Sequence, residues 1–436
     1  MSSSKRLSLL ACAVGVLAPA FVSMGVATAA DETFTAKTAI TLPTKITSFD
    51  ISFVDPVTSL YVLGDRTGNA ADVIDTTTNT LVGQFGKGLF TGPGLCPPAK
   101  QPAGANDCAG PDGTLIVNHS HIWVGDGDST VKIFEIAAGP GGTPVTVSTG
   151  GVHRADELCL DPEDQIVLVA NNAESPFPFA TAISVKNPHV LKRITFDGTG
   201  TNPKATNGAE QCQWSPRTEK FYISIPEIDG PGDNSVHGGV AVIDPKTLAV
   251  EKTFVIDVQK CSGPQGMAIG PDHQILLGCN GALNANASTV VIDERDGHVI
   301  KTLNNESGSD EVWFNPGDGH YFLARSSAVG TQQLLGVVDA ERLSEDASAV
   351  TNGAGKGNAH SVAADPVGNQ VYVPIPSTAN QGVCEAAGGV AGQGCIAVFT
   401  SPNDDKCFAE GGPVIRVSED GDEDHMREGC HRHDHD

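Results

Sequence analysis

Polar side chains recur at one position of a repeated strand, and their types suit acid–base chemistry or cation binding. In six segments this position lies five residues before an Asp-Pro-like turn and holds Asp50, Asp156, Glu210, Gln265, Asp310 and His360. A degenerate seventh segment offers Asp112. Most of these side chains are carboxylates, and the next positions along each strand are mostly apolar. If the repeat turns about one axis, these residues form an acidic ring.

A ring of oxygen ligands with one imidazole is the donor set of a divalent cation such as Ca²⁺, Mg²⁺, Mn²⁺ or Zn²⁺. We assign this metal role to Asp156, Glu210, Asp310 and His360. Without a metal, crowded carboxylates hold one another partly protonated. A His–carboxylate pair activates water or abstracts a proton, so the candidate catalytic residues are His360, Glu210 and Asp310. The alternative is a wet polar rim with no ligand.

Candidate ligand-binding residues combine the ring with the loops that follow the second strand of each repeat. They are Asp50, Asp156, Asn171, Gln265, Asn280 and Arg325. The alternative for each one singly is a turn residue or a surface cation. Residues 91–112 interrupt the repeat and carry Cys96 and Cys108. This segment is either a wall or lid over the ring, or a passive surface loop.

The repeat that positions these residues contains four short strands. In the first copy the strands cover residues 49–55, 60–63, 71–75 and 80–85, with turn residues between them. Seven such units follow one another, and no amphipathic helix recurs between strands, which excludes an α/β fold. Four-stranded units at this period predict an all-β, seven-bladed β-propeller. The last unit lacks a fourth strand, and we expect residues 34–42 to supply it and close the ring.

The third strand of the repeat carries the most specific pattern. Residues 73–80 read Val-Ile-Asp-Thr-Thr-Thr-Asn-Thr, and residues 242–247 read Val-Ile-Asp-Pro-Lys-Thr. This pattern resembles the repeat of YVTN-type propellers, including YncE-like exported proteins, over most of residues 34–400. The resemblance implies the architecture and leaves the activity open, since that superfamily includes lactonases, lyases, electron-transfer subunits and binding proteins.

The two ends of the chain differ from the repeat. Residues 1–30 have a positive start, an apolar run and an Ala-Thr-Ala-Ala sequence, which predict a cleaved export signal. A lipoprotein signal at Cys12 is the alternative. The propeller domain is assigned to residues 34–401. Residues 402–436 form an acidic, His-rich tail that we expect to be flexible, with weak capture of a transition metal as an alternative role.

Ten cysteines remain after the signal, an even number that suits disulfides in an oxidising compartment. Neighbours in sequence suggest the pairs Cys96–Cys108, Cys261–Cys279, Cys384–Cys395 and Cys407–Cys430. Cys159 and Cys212 are either a fifth pair or buried thiols. The formal charge of −25 argues against nucleic acid as a partner, and no stretch of the mature chain is long and apolar enough for stable membrane insertion.

These observations predict a secreted or periplasmic propeller that binds a small molecule or cation at the mouth of its central channel. One alternative is a metal-dependent lactone hydrolase or lyase resembling gluconolactonase-like propellers, whose carboxylate- and Asn-rich mouth Asp156, Glu210, Asn171 and Asn280 would mimic. Another is a protein-interaction scaffold. The sequence leaves open whether the protein is an enzyme and which protein partner it has.

Overall fold

Aspartates at the ends of the third strands fix the hairpin turns of the repeat. The carboxylate of Asp75 accepts hydrogen bonds from the backbone N–H groups of Thr77 at 2.8 Å and Thr78 at 3.2 Å. Asp244 accepts two backbone N–H bonds in the equivalent turn, both at 2.8 Å. Such turns reverse the chain at a defined point. The repeated Ile-Asp signature is therefore the start of an antiparallel hairpin.

The computed structural model describes residues 32–100, 104, 106–279, 288–305, 308–325, 333–352, 360–378 and 382–402. Its strands form seven antiparallel sheets, the blades, numbered here in chain order. A short strand, β1 (Thr35–Ile40), precedes them. Blade 1 contains β2 (Ser52–Asp55), β3 (Leu60–Asp65), β4 (Ala70–Asp75) and β5 (Thr80–Phe85). Blade 2 contains β6 (Thr114–Val117), β7 (His121–Asp126), β8 (Thr130–Glu135) and β9 (Val145–Ser148). Blade 3 contains β10 (Leu158–Asp161), β11 (Ile166–Asn171), β12 (Phe179–Ser184) and β13 (His189–Thr195).

The second half of the ring repeats this order. Blade 4 contains β14 (Cys212–Ser215), β15 (Lys220–Ile225), β16 (Gly238–Asp244) and β17 (Ala249–Ile256). Blade 5 contains β18 (Pro264–Ile269), β19 (Gln274–Cys279), β20 (Thr289–Asp293) and β21 (Val299–Leu303). Blade 6 contains β22 (Ser309–Asn315), β23 (His320–Arg325), β24 (Gln333–Asp339), β25 (Ser344–Glu345) and β26 (Ala349–Asn352). Blade 7 contains β27 (Ala363–Asp365), β28 (Gln370–Ile375) and β29 (Cys395–Thr400), with helix α1 (Gly382–Ala386) before β29. Short 3₁₀ turns cover Pro98–Lys100 and Ile136–Ala138.

Blade 7 takes its outer strand from the start of the domain. β1 pairs antiparallel with β29, with Ile40 opposite Ile396 and Thr35 opposite Thr400. The sheet order is therefore β1, β29, β28, β27. The predicted seven-bladed propeller and its closure by an N-terminal strand are both confirmed. Since both ends of the domain share one sheet, opening the ring requires the loss of a strand pairing.

The hydrophobic core is divided among the interfaces between neighbouring blades. One cluster joins blade 7 to blade 1, where the rings of Tyr61 and Tyr372 stack with centroids 4.9 Å apart. Six further clusters occupy the remaining blade interfaces of the described residues. A single sheet cannot bury both of its faces, so each blade is stable only between two neighbours. This packing fixes the rotation of the blades about the axis.

The described residues contain four disulfides. Three were expected: Cys96–Cys108, Cys261–Cys279 and Cys384–Cys395. The fourth joins Cys159 of β10 to Cys212 of β14, with 5.7 Å between the Cα atoms, and so links blades 3 and 4. The alternative of buried thiols at these two positions is wrong. The expected Cys407–Cys430 pair, the signal and the tail beyond residue 402 lie outside the described residues.

The disulfides bear on the compartment of the protein. Four of them in one chain are typical of proteins that mature in an oxidising environment. In the described ranges no helix has the length and hydropathy required to cross a bilayer.

Candidate functional site

The predicted ring residues occupy one equivalent backbone position. In blades 1 to 4 the residue donates its backbone N–H to the second strand of its own blade at 2.8–3.0 Å. The donors are Asp50 to Gly64, Asp112 to Gly125, Asp156 to Ala170 and Glu210 to Ser224. A shared register places the side chains at the same height on the axis. We call this group, with Gln265, Asp310 and His360, the mouth ring.

His360 joins three blades through its two ring nitrogens. Its Nε2 lies 2.5 Å from Oδ1 of Asp50 in blade 1, and its Nδ1 lies 2.6 Å from Oδ2 of Asp310 in blade 6. Burial opposes the charge of the ring, but the two carboxylates outweigh it and raise the pKa of His360 well above its usual value. His360 is therefore an imidazolium at neutral pH. While it keeps both ion pairs it offers no lone pair to a metal or a proton.

Arg66 bridges blades 1 and 2 at the same level. It follows β3, and its guanidinium pairs with Asp50 and with Asp112. Its Nε also donates to Oδ1 of Asp112 at 3.1 Å. The three side chains are almost fully buried. The guanidinium neutralises one of the two carboxylates, and burial raises the pKa of the other, Asp112, so that its negative charge is disfavoured.

Blades 3 and 4 are joined by a second chain of polar contacts. Arg154 donates from Nε to Asp156 at 2.8 Å and to the side-chain oxygen of Asn172 at 3.1 Å. The amide of Asn172 in turn donates to Oε2 of Glu210 at 3.3 Å. Glu210 makes no ion pair among the described residues. The nearby carboxylates of Asp156 and Asp310 disfavour a negative charge on Glu210, and no ion pair within the described chain neutralises it.

The mouth ring therefore has more acids than bases. Its five carboxylates are Asp50, Asp112, Asp156, Glu210 and Asp310. They face two guanidinium groups and one imidazolium. Oxygen atoms of Asp50, Asp112 and Asp156 all lie within 4.8 Å of one another, close enough to share a metal ion. Two negative charges remain unbalanced, and two protons or a bound divalent cation would offset them.

The pKa directions follow this imbalance. Desolvation, with the carboxylates of Asp156 and Asp310, raises the pKa of Glu210 to about 8. Desolvation also raises the pKa of Asp112 well above its usual range, against the attraction of Arg66. For Asp50 burial acts in the same sense, but Arg66 and His360 outweigh it and hold the pKa below its usual range. Asp112 and Glu210, whose carboxyl pKa values are raised, both lie on the side of the ring away from His360.

The disulfide loop of residues 91–112 contacts this mouth. The backbone oxygen of Asp107 accepts a hydrogen bond from the N–H of Arg154 at 2.7 Å. The carbonyl of Lys100 lies 3.1 Å from Nε2 of His153. Oδ2 of Asp112, at the end of the loop, is buried without a hydrogen-bond partner in the described part of the chain. The described parts of the loop therefore contact His153 and Arg154 beside the mouth ring, and a role as a wall or lid stays a prediction.

The other candidate ligand-binding residues have different surroundings. Asn171 is buried between blades 2 and 3, where its amide donates to Thr149 at 2.8 Å and its oxygen accepts from Thr181 at 3.0 Å. Arg325 ends β23 and is 8% exposed, with Ser348 at 3.5 Å. Gln265 lies at the mouth, and its Oε1 has no described hydrogen-bond partner. Asn280 lies outside the described residues.

The ligand and catalytic roles of all these residues stay predictions. An acid–base role for His360, Glu210 and Asp310 requires His360 to leave one of its two carboxylates. In the structure the imidazolium of His360, in blade 7, contacts Asp50 of blade 1 and Asp310 of blade 6 and so links the three blades. The carboxyl of Glu210, which keeps a proton near neutral pH, is the member of this set best prepared to exchange one.

Two further groups have the geometry of metal ligands. His320, Asp339 and Asp346 lie together in blade 6, where Arg342 pairs with both aspartates. His153 lies beside Cys96 and Cys108, whose sulfurs are consumed in a disulfide. The first group is already neutralised by an arginine, and the second has no thiolate to offer.

Sequence reasoning missed a second layer of acids beneath the ring. Glu157 and Glu311 follow ring positions directly, and both are buried. They were overlooked because the strand positions that follow the ring residue are mostly apolar across the seven blades. The signal was available, because the residue after the ring position is polar in blades 3, 4, 6 and 7.

Comparisons with known proteins identify the fold and no family. No family model matches the chain, and no curated protein matches it. Among solved structures it resembles Kuenenia stuttgartiensis hydrazine synthase, with a TM-score of 0.54 and 12% identity over 77% of this chain and 94% of that one. It also resembles a chain of a mitotic checkpoint complex, with a TM-score of 0.55 and 10% identity over 91% and 98% of the two chains. At such identities the likeness concerns the propeller fold alone.

Proposed function

We propose that this chain is an exported propeller, related to the YVTN-type proteins it resembles, that binds a small cation at its mouth ring. The observation that carries the proposal is the excess of carboxylates over bases in the ring, concentrated on the side of Asp156 and Glu210. Export is supported by the four disulfides and by the signal-like residues 1–30.

The donor set favours a hard divalent ion. Carboxylate and amide oxygens are the ligands of Ca²⁺, Mg²⁺ and Mn²⁺, whereas Zn²⁺ prefers nitrogen and sulfur. The ligands we propose are Glu210, which has no ion pair in the described chain, with Asp156 and Asp310, which would share their carboxylates with Arg154 and His360. In the described part of the mouth, the three carboxylates whose oxygens already lie within 4.8 Å of one another are those of Asp50, Asp112 and Asp156, so the proposed ligands would have to move together to hold an ion. His360 holds Asp310 and Asp50 in place and is not counted among them. Binding at Glu210 would displace the proton that its raised pKa retains at pH 7.

Calorimetric titration with each of the three ions tests this proposal. The protein should carry alanine at His425, His431, His433 and His435, so that the tail cannot contribute imidazole ligands. We expect saturable binding that releases close to one proton per ion at pH 7, seen as a heat that depends on the ionisation enthalpy of the buffer. Glu210→Gln should abolish the proton release and weaken binding at least tenfold.

Glu163→Gln serves as the matched control, because Glu163 is an exposed acid in the turn at the other end of the blade 3 inner strand. This variant should bind like the parent. The proposal fails if no ion binds at millimolar concentration, or if binding is the same in Glu210→Gln and in the parent.

A further inference from the structure

A cavity lies inside the ring of inner strands, below the mouth ring. Its volume is about 270 Å³, which suits a small organic molecule. It is lined by the inner strands of blades 1 to 6, and its wall combines two acids, two amides, two hydroxyls and several apolar and aromatic side chains. This cavity is distinct from the proposed cation site at the mouth. It has a polar end and an apolar end of its own.

The polar end is formed by Glu157 and Glu311, one residue further along their strands than the mouth ring. Glu311 is held in place, since Ser361 donates to its Oε2 at 2.8 Å. Ser361 is itself fixed by Ser52, whose hydroxyl lies 2.7 Å away. Glu157 is only 7% exposed, and its carboxyl has no hydrogen bond or ion pair to any residue of the described chain. Burying a carboxyl without a partner costs free energy, and a bound cation or hydrogen-bond donor would offset that cost.

The amide that stands at the same strand position as the two acids, that of Gln211, is not free to complete a metal site. The side-chain oxygen of Gln211 already accepts from the N–H of Met267 at 2.6 Å and from that of Val312 at 3.3 Å. A hard divalent ion needs six or more oxygen ligands or ordered waters. Two carboxylates in a largely apolar cavity suit a monovalent cation with an apolar body better.

The apolar end is aromatic. It is formed by Phe53, Trp214, Trp313 and Phe314, all half-buried. The rings of Phe53 and Trp313 meet edge to face at 5.5 Å. These residues lie two or three positions beyond the acids along the strands, which is about 7–10 Å at 3.3 Å per residue. Their partial exposure opens this end of the cavity to solvent, and indole and phenyl faces attract cations.

From this arrangement we infer a second ligand site, in the cavity, for a small organic ammonium ion with a short apolar body. The ammonium group pairs with Glu157 and Glu311, and the body lies against Trp313, Phe53 and Trp214. The site does not depend on cation binding at the mouth. Its acids and the proposed mouth ligands belong to different layers.

Benzylammonium is a suitable probe, and benzyl alcohol is its neutral counterpart of similar shape. Two of the three tryptophans of the chain line the cavity, so binding should change the tryptophan emission saturably. We expect benzylammonium to bind at least tenfold more tightly than benzyl alcohol. Glu157→Gln should remove this preference, and its circular dichroism should match that of the parent, because the carboxamide has nearly the same size and shape as the carboxyl group.

Two controls separate this site from the mouth. Glu163→Gln, on the surface, should bind benzylammonium like the parent, and Glu210→Gln, at the mouth ring, should keep the preference for benzylammonium over benzyl alcohol. The inference is overturned if benzylammonium does not bind at tens of millimolar, if the alcohol binds equally well, or if Glu157→Gln binds like the parent. It is also overturned if Ca²⁺ binds in a manner that depends on Glu157, since the cavity would then be a metal site.

Discussion

Replacing Glu210 by glutamine should change how the stability of the propeller depends on pH. The pKa of Glu210 is about 8 in the folded chain, against 4.5 for an ordinary glutamate. A group whose pKa is raised on folding contributes its full stability below the unfolded value and loses it as pH rises through the folded value. The unfolding free energy of the parent should therefore decline between pH 4.5 and 8.

The size of this decline follows from the same values. The difference between 4.5 and about 8 corresponds to at most about 5 kcal/mol, at about 1.4 kcal/mol per pH unit. Glu210 is only half-buried at an open mouth, and water screens part of this energy. We expect about 2 kcal/mol. In Glu210→Gln this contribution is absent, because glutamine copies the protonated acid and can still accept from Asn172.

Urea unfolding followed by tryptophan emission at pH 5, 6, 7 and 8 measures the effect. The parent and Glu210→Gln should be about equally stable at pH 5, and the variant should be the more stable at pH 8. Glu163→Gln should follow the parent throughout. A constant difference between parent and variant over this range would refute the argument, since it would mean that Glu210 ionises in the folded chain at an ordinary pH.

The ion pairs and the inter-blade disulfide give two further predictions. Arg66→Met leaves Asp50 and Asp112 buried without their shared cation, and should lower the unfolding free energy by about 3–5 kcal/mol at pH 7, measured in urea. Replacing Cys159 and Cys212 together by serine removes a cross-link across 53 residues and should lower it by about 4 kcal/mol by the chain-entropy relation.

Each of these has a control of the same chemical type. Arg295→Met breaks an ion pair with Asp293 in which the arginine side chain is 63% exposed, and should change stability by less than about 1 kcal/mol. Replacing Cys96 and Cys108 by serine removes a cross-link across 12 residues, for which about 3 kcal/mol is expected. If Arg66→Met and Arg295→Met lowered the free energy of unfolding equally, Arg66 would not be stabilising the buried carboxylates at the mouth.

The repeat made the propeller and its mouth predictable from sequence. Each ring residue stands at the same distance from a turn, and in blades 1 to 4 it donates the same backbone hydrogen bond to its neighbouring strand. Equal spacing along the chain therefore becomes equal height on the axis. The closing strand was predictable for a related reason, because blade 7 was one strand short and residues 34–42 had no sheet of their own.

The partners of the acids were not predictable, since they do not repeat. Arg66 follows the second strand of blade 1, whereas Arg154 precedes the inner strand of blade 3. Only the folded ring shows that they meet Asp50, Asp112 and Asp156. The Cys159–Cys212 pair was one of two alternatives from the sequence, and the structure decides for it because the inner strands of blades 3 and 4 pack side by side.

The basic partners, which do not repeat, decide which of the repeated acids remain free for a ligand. An acid that the repeat places at the mouth is available to a cation only where no arginine or histidine from another part of the chain has reached it. By that criterion Asp50 and Asp112 belong to the framework, and Asp156 is shared with Arg154. Glu210 in the ring and Glu157 beneath it have no cationic partner among the described residues, so a ligand that enters the channel should meet its strongest attraction at these two carboxyls.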